Sequence, residues 1–187
     1  YLQYSGPGTE YKSYNDGVYV SDQPLGPFVL QDHNPFAYRP EGFAAGAGHG
    51  STFEDRHGNL WHIGTITISQ KHMFERRLGL FPVFLDERGT LYSETGYGDY
   101  PVRISDTKVN SFEEIFPGWM LLSYGKTVEV SSSVDSLPAS HMTDEDIRTY
   151  WSAATGNAGE YALLDLGATC NVHAVQLNFA EHHTSIF

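Results

Sequence analysis

The stretch "AGAGHGSTFEDRHGNLWHIGT", residues 45–65, sets His49 between two glycines and follows it with the marks of a tight hairpin. "STF" and "LWHIGTITI" flank the turn "EDRHGN", in which Asp55 stands three positions before Gly58. That spacing is the chemistry of a type I turn closed by a residue at positive φ. It returns 31 residues on, where "LGLFPVFL" and "TLYSE" flank "DERG" with Asp86 and Gly89. Upstream, "GVYVS" (17–21) alternates apolar and polar positions, and "DQPLGPF" (22–28) breaks the alternation with two prolines and a glycine. No stretch before residue 110 sustains a helical period, so the chain reads as all-β.

Composition agrees. With 187 residues and 40% hydrophobic content, the chain can build one large domain or two small ones. Aromatic residues at 14% and 19 glycines favour short strands and turns over long helices. The net charge of −12 argues against a nucleic-acid partner, because phosphate binding needs a basic surface. Residues 1–104 carry 8 Lys and Arg against 12 Asp and Glu, whereas 105–187 carry 3 against 11. The split suggests two units with different surfaces, although a solvated acidic face is the simpler reading of it. Cys170 is the sole cysteine, so no internal disulfide can form, and "DLGATCNVHAV" reads it as a small buried apolar residue. No apolar run approaches the roughly 18 residues of a membrane span, and no signal peptide is seen. Because it opens in "YLQYS" and stops at "HHTSIF", the chain reads as an internal fragment of a longer protein.

The expected organisation is a run of strands and turns over 1–104, a linker at 105–124, and a second β unit over 125–187. "SFEEIF" within the linker suggests one short helical turn. In the second unit "EYALLDLG" and "VHAVQLNF" read as strands with a buried alternating face, and "DEDIRTYW" as a compact turn capped by Asp144.

The stretch from "YLQYSGPGTEYKSYNDGVYVSDQPLGPF" through "GAGHGSTFEDRHGNLWHIGT" to "ERRLGLFPVFLDERGTLY" resembles glycoside hydrolase family 43, a five-bladed β-propeller family. Three parts carry it: the strand before "SDQPLGPF", the "GHGS" segment opening a blade, and an arginine ahead of an apolar strand ending in a D-x-x-G turn. The resemblance implies that 1–104 holds the C-terminal blades. The remainder, with a Ser-rich first strand, "TYW" (149–151) and "LDLG" (164–167), resembles the first half of a discoidin-like β-sandwich, the coagulation-factor type C fold often used to bind sugars. The fold implied is a partial five-bladed propeller followed by a partial jelly-roll sandwich.

Family 43 enzymes invert the anomeric centre with a general base and a general acid held far enough apart to admit a water. The resemblance implies a parent acting on pentose-containing plant glycans, in the manner of a β-xylosidase or α-arabinofuranosidase, extracellular or periplasmic, with an appended carbohydrate-binding module. It places base and acid in blades ahead of this chain, so the fragment alone is expected to be inactive. Glu10, in a Gly/Pro-rich loop with several tyrosines, is the one carboxylate that could stand in, against the alternative of a solvated loop acid. Asp16 in "NDG" and Asp22 in "SDQP" read as turn residues. The other functional class is a carbohydrate-binding or scaffolding protein with no catalysis.

For His49, the resemblance implies a place on the propeller axis beneath the sugar site, touching a central calcium or its waters, since imidazole is a poor direct ligand for a hard cation. The alternative is a hydrogen-bonded core histidine, with general-base chemistry behind both. His57 in the turn and His62 beside Trp61 could each be surface or packing. Of Arg76 and Arg77, adjacent strand residues that face opposite ways, only one can aim its fork of donors at a sugar. Arg77 is preferred, the other possibility being two surface arginines paired with Glu75 or Glu54. Tyr150 and Trp151 are candidate stacking platforms or sandwich core, and Asp144 and Asp146 candidate ligands of a structural calcium or a plain capped turn. Oligomeric state is not legible.

Overall fold

A computed structural model describes residues 1–40, 45–67, 76–96, 98, 100–116, 118–146 and 148–180. The chain is all-β, with no α-helix among the described residues, and its curled antiparallel sheets fit a partial propeller. It divides into two compact units, Tyr1–Trp119 and Met120–Phe187.

In the first unit, β1 (Leu2–Gly6), β2 (Asn15–Val20) and β3 (Val29–Leu30) form one antiparallel sheet in sequence order. A second sheet runs β4 (Ala45–Gly46), β6 (Leu60–Thr67), β7 (Arg76–Leu85), β8 (Leu91–Ser93), with β5 (Ser51–Glu54) also paired to β6. Residues 36–39 stitch the two sheets together. Asp16 exchanges backbone hydrogen bonds with Ala37 on one side, and Arg39 exchanges them with Gly46 on the other.

The second sheet is covered on both faces. His62, Phe81 and Val83 lie on the side of the core built from Val18, Phe36, Ala37, Ala47 and Leu91. Trp61 and Phe84 lie on the other side, against Val109 and Ile115. Residues 105–124 were expected as a linker, yet the first part packs as core. Buried Asn59 pins it there, donating to Thr107 O at 3.0 Å and accepting from Val109 N at 2.8 Å. The helical turn expected in "SFEEIF" is a 3-10 turn at Phe112–Glu114.

Both D-x-x-G turns close as their residues dictate. Gly58 and Gly89 sit at φ 80° and 78°, where a Cβ is disfavoured, and their amides donate to Asp55 O and Asp86 O. The aspartate side chains then cap the turns from within. Asp55 accepts from His57 N, Asn59 N and the Trp61 indole, at 2.8, 2.9 and 3.0 Å. Burial works against the Asp55 charge, but those donors outweigh it and hold the carboxyl well below its ordinary value of 3.8. Thr90 N, then Arg88 N, lower Asp86 in the same way. The unfolded chain therefore binds protons that the folded chain refuses. Stability from these caps is complete above the ordinary carboxylate range and drains away as pH falls below about 4. A Tm series through acid should show that loss, and Asp55→Asn should flatten its slope.

In the second unit β9 (Val128–Val130) pairs with β10 (Ala162–Leu164), and a 3-10 turn spans Ala139–Met142. Glu160 ties the loop before β10 to the end of β9. Hydroxyls of Ser131, Thr155 and Ser132 all donate to it and bring its pKa to about 2. "DEDIRTYW" is the expected capped turn, with Thr149 Oγ1 donating to Asp144 at 2.7 Å. Two expectations fail here. "VHAVQLNF" forms no strand, and its alternating residues are exposed, Val175 at 78% and Phe179 at 87%. β10 does form, but without the expected buried face. Period-2 patterning specifies which face a strand would bury, not whether another layer covers it. Cys170 is likewise half-buried rather than core.

Candidate functional site

The site grows from a mismatch in strand lengths. β5 pairs with residues 60–63 of β6, and β4 pairs with 66–67 on the same edge. Between those ladders β6 spends residues 64–65, whereas the other strand spends 47–50, so two surplus residues must bulge outward. The bulge is held by Ala47 N donating to Thr65 O and Thr65 N donating to Gly48 O. Within it Ala47 and His49 take positive φ, 128° and 55°. A left-handed residue bearing a Cβ costs about 1–2 kcal/mol, and His is among the types that visit the region more often.

His49 is exposed, which removes the core-histidine alternative. What is buried lies behind it. Asp16, 1% exposed, accepts from His49 N at 3.0 Å and Gly50 N at 2.8 Å, and also takes the Ser5 hydroxyl. His62 Nε2 lies 3.2 Å from the same carboxylate and 3.3 Å from Ala47 O. Both neighbours of that nitrogen are acceptors, so Nε2 carries the proton. On the other side of the ring, Nδ1 faces Thr52 Oγ1 at 3.3 Å, and that hydroxyl accepts from Gln3 Nε2 at 2.6 Å. Donation runs from Gln3 to Thr52 to His62 and ends on the Asp16 carboxylate, the acceptor. Asp16 was expected as a turn residue. It belongs to strand β2, because "NDG" here pairs along β1 rather than reversing the chain. Its partners lie far away in sequence, and no local signal announces them. Asp22 caps nothing in its own loop, where Ser21 Oγ receives Gln23 N instead.

Beside the bulge, the Tyr14 ring fills the space a Cβ on Gly48 would need, 2.8 Å from the ideal position. The Arg76 guanidinium lies 6.0 Å from the centre of the same ring. Arg76 Nη2 donates to Thr9 Oγ1 at 2.5 Å and Nη1 to Thr67, whereas its Nε is buried with no hydrogen-bond partner among the described residues. Burial draws the Arg76 pKa below its ordinary value, while Tyr14 and Glu10 oppose the shift. Exposed Glu10 thus sits within electrostatic reach of Arg76. Arg76, Tyr14 and Gly48 are neighbours in space, Tyr14 and Gly48 buried and Arg76 half-buried, and exposed His49 follows Gly48 in the chain. Arg77 is exposed, and its Nη1 donates to the Arg76 carbonyl at 3.2 Å. Glu75, a possible partner for either arginine, lies outside the described residues.

His57 stays in its turn, accepting from Arg56 Nε at 3.0 Å. In the second unit Asp144 Oδ1 takes Asp146 N at 3.0 Å and Asp146 Oδ1 takes Arg148 N at 2.8 Å, so both carboxylates close the turn. Trp151 is half-buried, its indole donating to Ser132 O and Ser133 Oγ. No three His, Cys, Asp or Glu side chains among the described residues form a group that could hold a metal ion.

No family model matches the chain, and no curated protein matches it. The solved structures similar to part of it include three glycoside hydrolases. An endo-1,4-β-xylanase from Bacteroides thetaiotaomicron is 26% identical over 50% of this chain and 32% of its own, with a TM-score of 0.45. The GH43 protein BlXynB from Bacillus licheniformis is 22% identical over 49% and 19%, also at 0.45. A thermostable family-43 glycoside hydrolase is 21% identical over 49% and 30%, at 0.42. The chain spans a third or less of each, and all three are glycoside hydrolases.

Proposed function

We propose that the first unit supplies part of the sugar-binding wall of a glycoside hydrolase that cleaves pentose-containing plant glycans with inversion. One observation carries the reading: exposed His49, presented on its bulge, follows Gly48, which packs on the buried Tyr14 ring beside half-buried Arg76, whose Nε has no partner among the described residues. A guanidinium donor and an imidazole are groups that recognise vicinal hydroxyls of a sugar. The resemblance of "GAGHGS" and "ERRLGLFPVFLDERG" to family 43 supports the reaction class, and a polymeric substrate supports action outside the cell. The second unit serves as a discoidin-like carbohydrate-binding module in the same proposal.

Calcium fits at His49 only as an outer contact through water, because one imidazole offers a hard cation little and no acidic cluster stands beside it among the described residues. When bound, such a cation would order water near the sugar. Asp144 and Asp146 spend carboxylate oxygens on their own turn and offer less.

The second reading is a carbohydrate-binding protein without catalysis. The acid buried beside His49 has two donors on each oxygen, so in either reading it anchors and does not transfer protons. Calorimetric titration with xylo- and arabino-oligosaccharides, together with a hydrolysis assay on the same samples, separates the two. Binding should weaken about tenfold, or 1.4 kcal/mol, for His49→Ala and for Arg76→Ala, and hold for His57→Ala. The chain alone should bind without cleaving, and its longer parent should cleave. Absence of binding at saturating oligosaccharide would end the proposal.

A further inference from the structure

The buried carboxylate behind His49 has a geometry that ordinary core packing does not demand. Two of its four donors are consecutive backbone amides, those of His49 and Gly50, at 3.0 and 2.8 Å. A left-handed residue turns successive N–H groups toward one side, forming a small anion-binding concavity. Here the anion is part of the chain. Ser5 Oγ completes the concavity, donating to Asp16 while accepting from His49 N at 3.0 Å. Asp16 itself cannot drift. Its backbone is paired with Ala37, and its other oxygen meets His62, which Thr52 and Gln3 hold from behind. Gly50 is tied to the same arrangement, since a Cβ there would overlap the His62 ring. Side chain and backbone from β1, β2, β5 and β6 thus converge to fix one exposed histidine.

We propose that Asp16 is a positioning residue for His49: it governs sugar binding through the backbone of the 48–50 bulge and touches no sugar itself. The proposal rests on the reading of His49 and neighbouring Arg76 as part of a glycan site. A solvated turn aspartate would constrain nothing. A purely structural acid would be needed equally whether or not a histidine stood at position 49. The two roles differ in that dependence, and the experiment reads it.

Asp16→Asn keeps the shape but turns an acceptor into a donor facing N–H groups. In amide NMR of the full 187-residue chain, the His49 and Gly50 resonances should shift upfield, and the HN–Hα coupling of His49 should leave its left-handed value. The amides of Phe84 and Ile115, on the opposite face of the sheet, should stay in place. Xylo-oligosaccharide affinity should fall by about tenfold, the low end of what loss of an orienting partner costs. Combined with His49→Ala, Asp16→Asn should add nothing further, because its effect passes through His49. Should Asp16→Asn fail to fold, Ser5→Ala at the exposed rim should shift the same two amides by less and weaken binding two- to threefold. Fully additive losses in the double variant would overturn the proposal, as would unmoved His49 and Gly50 amides in the folded variants. If the unaltered chain bound no sugar while those amides moved as stated, the glycan reading would fall and the hold of Asp16 on His49 would stand.

Discussion

Gly50→Ala should be among the most damaging single substitutions in this chain. An added Cβ would overlap His62 Nε2 and Cε1 and come within 2.7 Å of Ile63 O. Neither neighbour can give way. His62 is fully buried, wedged edge-on against Phe36 at 5.1 Å and held to Asp16 at 3.2 Å, and Ile63 O belongs to the β5–β6 ladder. Relief would require either opening the ladder or breaking the His62–Asp16 contact, which strands a buried carboxylate. Loss of such a pair costs about 3–5 kcal/mol. In a unit of this size each kcal/mol lowers Tm by roughly 4–8 °C. Thermal melting followed by tryptophan fluorescence should therefore show a fall of more than about 10 °C, or no cooperative transition. Gly118→Ala is the control, since nothing lies within 4 Å of its Cβ position, although its φ of 83° will itself cost a little. Equal, small shifts in the two variants would refute the steric account.

His62→Ala against His57→Ala is the second large effect. The two histidines stand five residues apart in one hairpin, yet their environments differ completely. His62 is 0% exposed and packs against Phe36 and Phe81 while joining Thr52 to Asp16. Truncation leaves a cavity and removes a donor from Asp16, together worth about 3–5 kcal/mol. His57 sits half-buried in the turn, and the amide that caps Asp55 survives truncation, so the change should stay within about 0.5 kcal/mol. Urea unfolding of both variants checks the contrast. A His57 variant as unstable as the His62 variant would show that the turn, and not the buried relay, carries the hairpin.

Sequence by itself determined the strands and their turns. Alternation placed β2, the apolar runs beside the turns placed β6 and β7, and the D-x-x-G spacing placed two turns with glycine at positive φ, because these signals act over a few neighbouring residues. It also singled out "GAGHGS" and the adjacent arginines as candidates. Tertiary structure decided where those residues sit. Trp61 and His62 are neighbours on opposite faces, and both are buried because residues 109–116 cover one face while β2 and residues 36–37 cover the other. Alternation describes a strand with one covered face, so it could not rank them. Arg76, not the preferred Arg77, lies over Tyr14, since the tyrosine comes from a loop more than 60 residues away. The exposed "VHAVQLNF" shows the converse: the alternation is present, but a strand forms only where a partner supplies its hydrogen bonds. Asp16 read as a turn acid because "NDG" is composed of turn-favouring residues. Its role came from Ser5, His49, Gly50 and His62, brought together by the pairing of three strands and a bulge. Long-range hydrogen bonds leave no periodic trace, and the chemistry of this site is built from them.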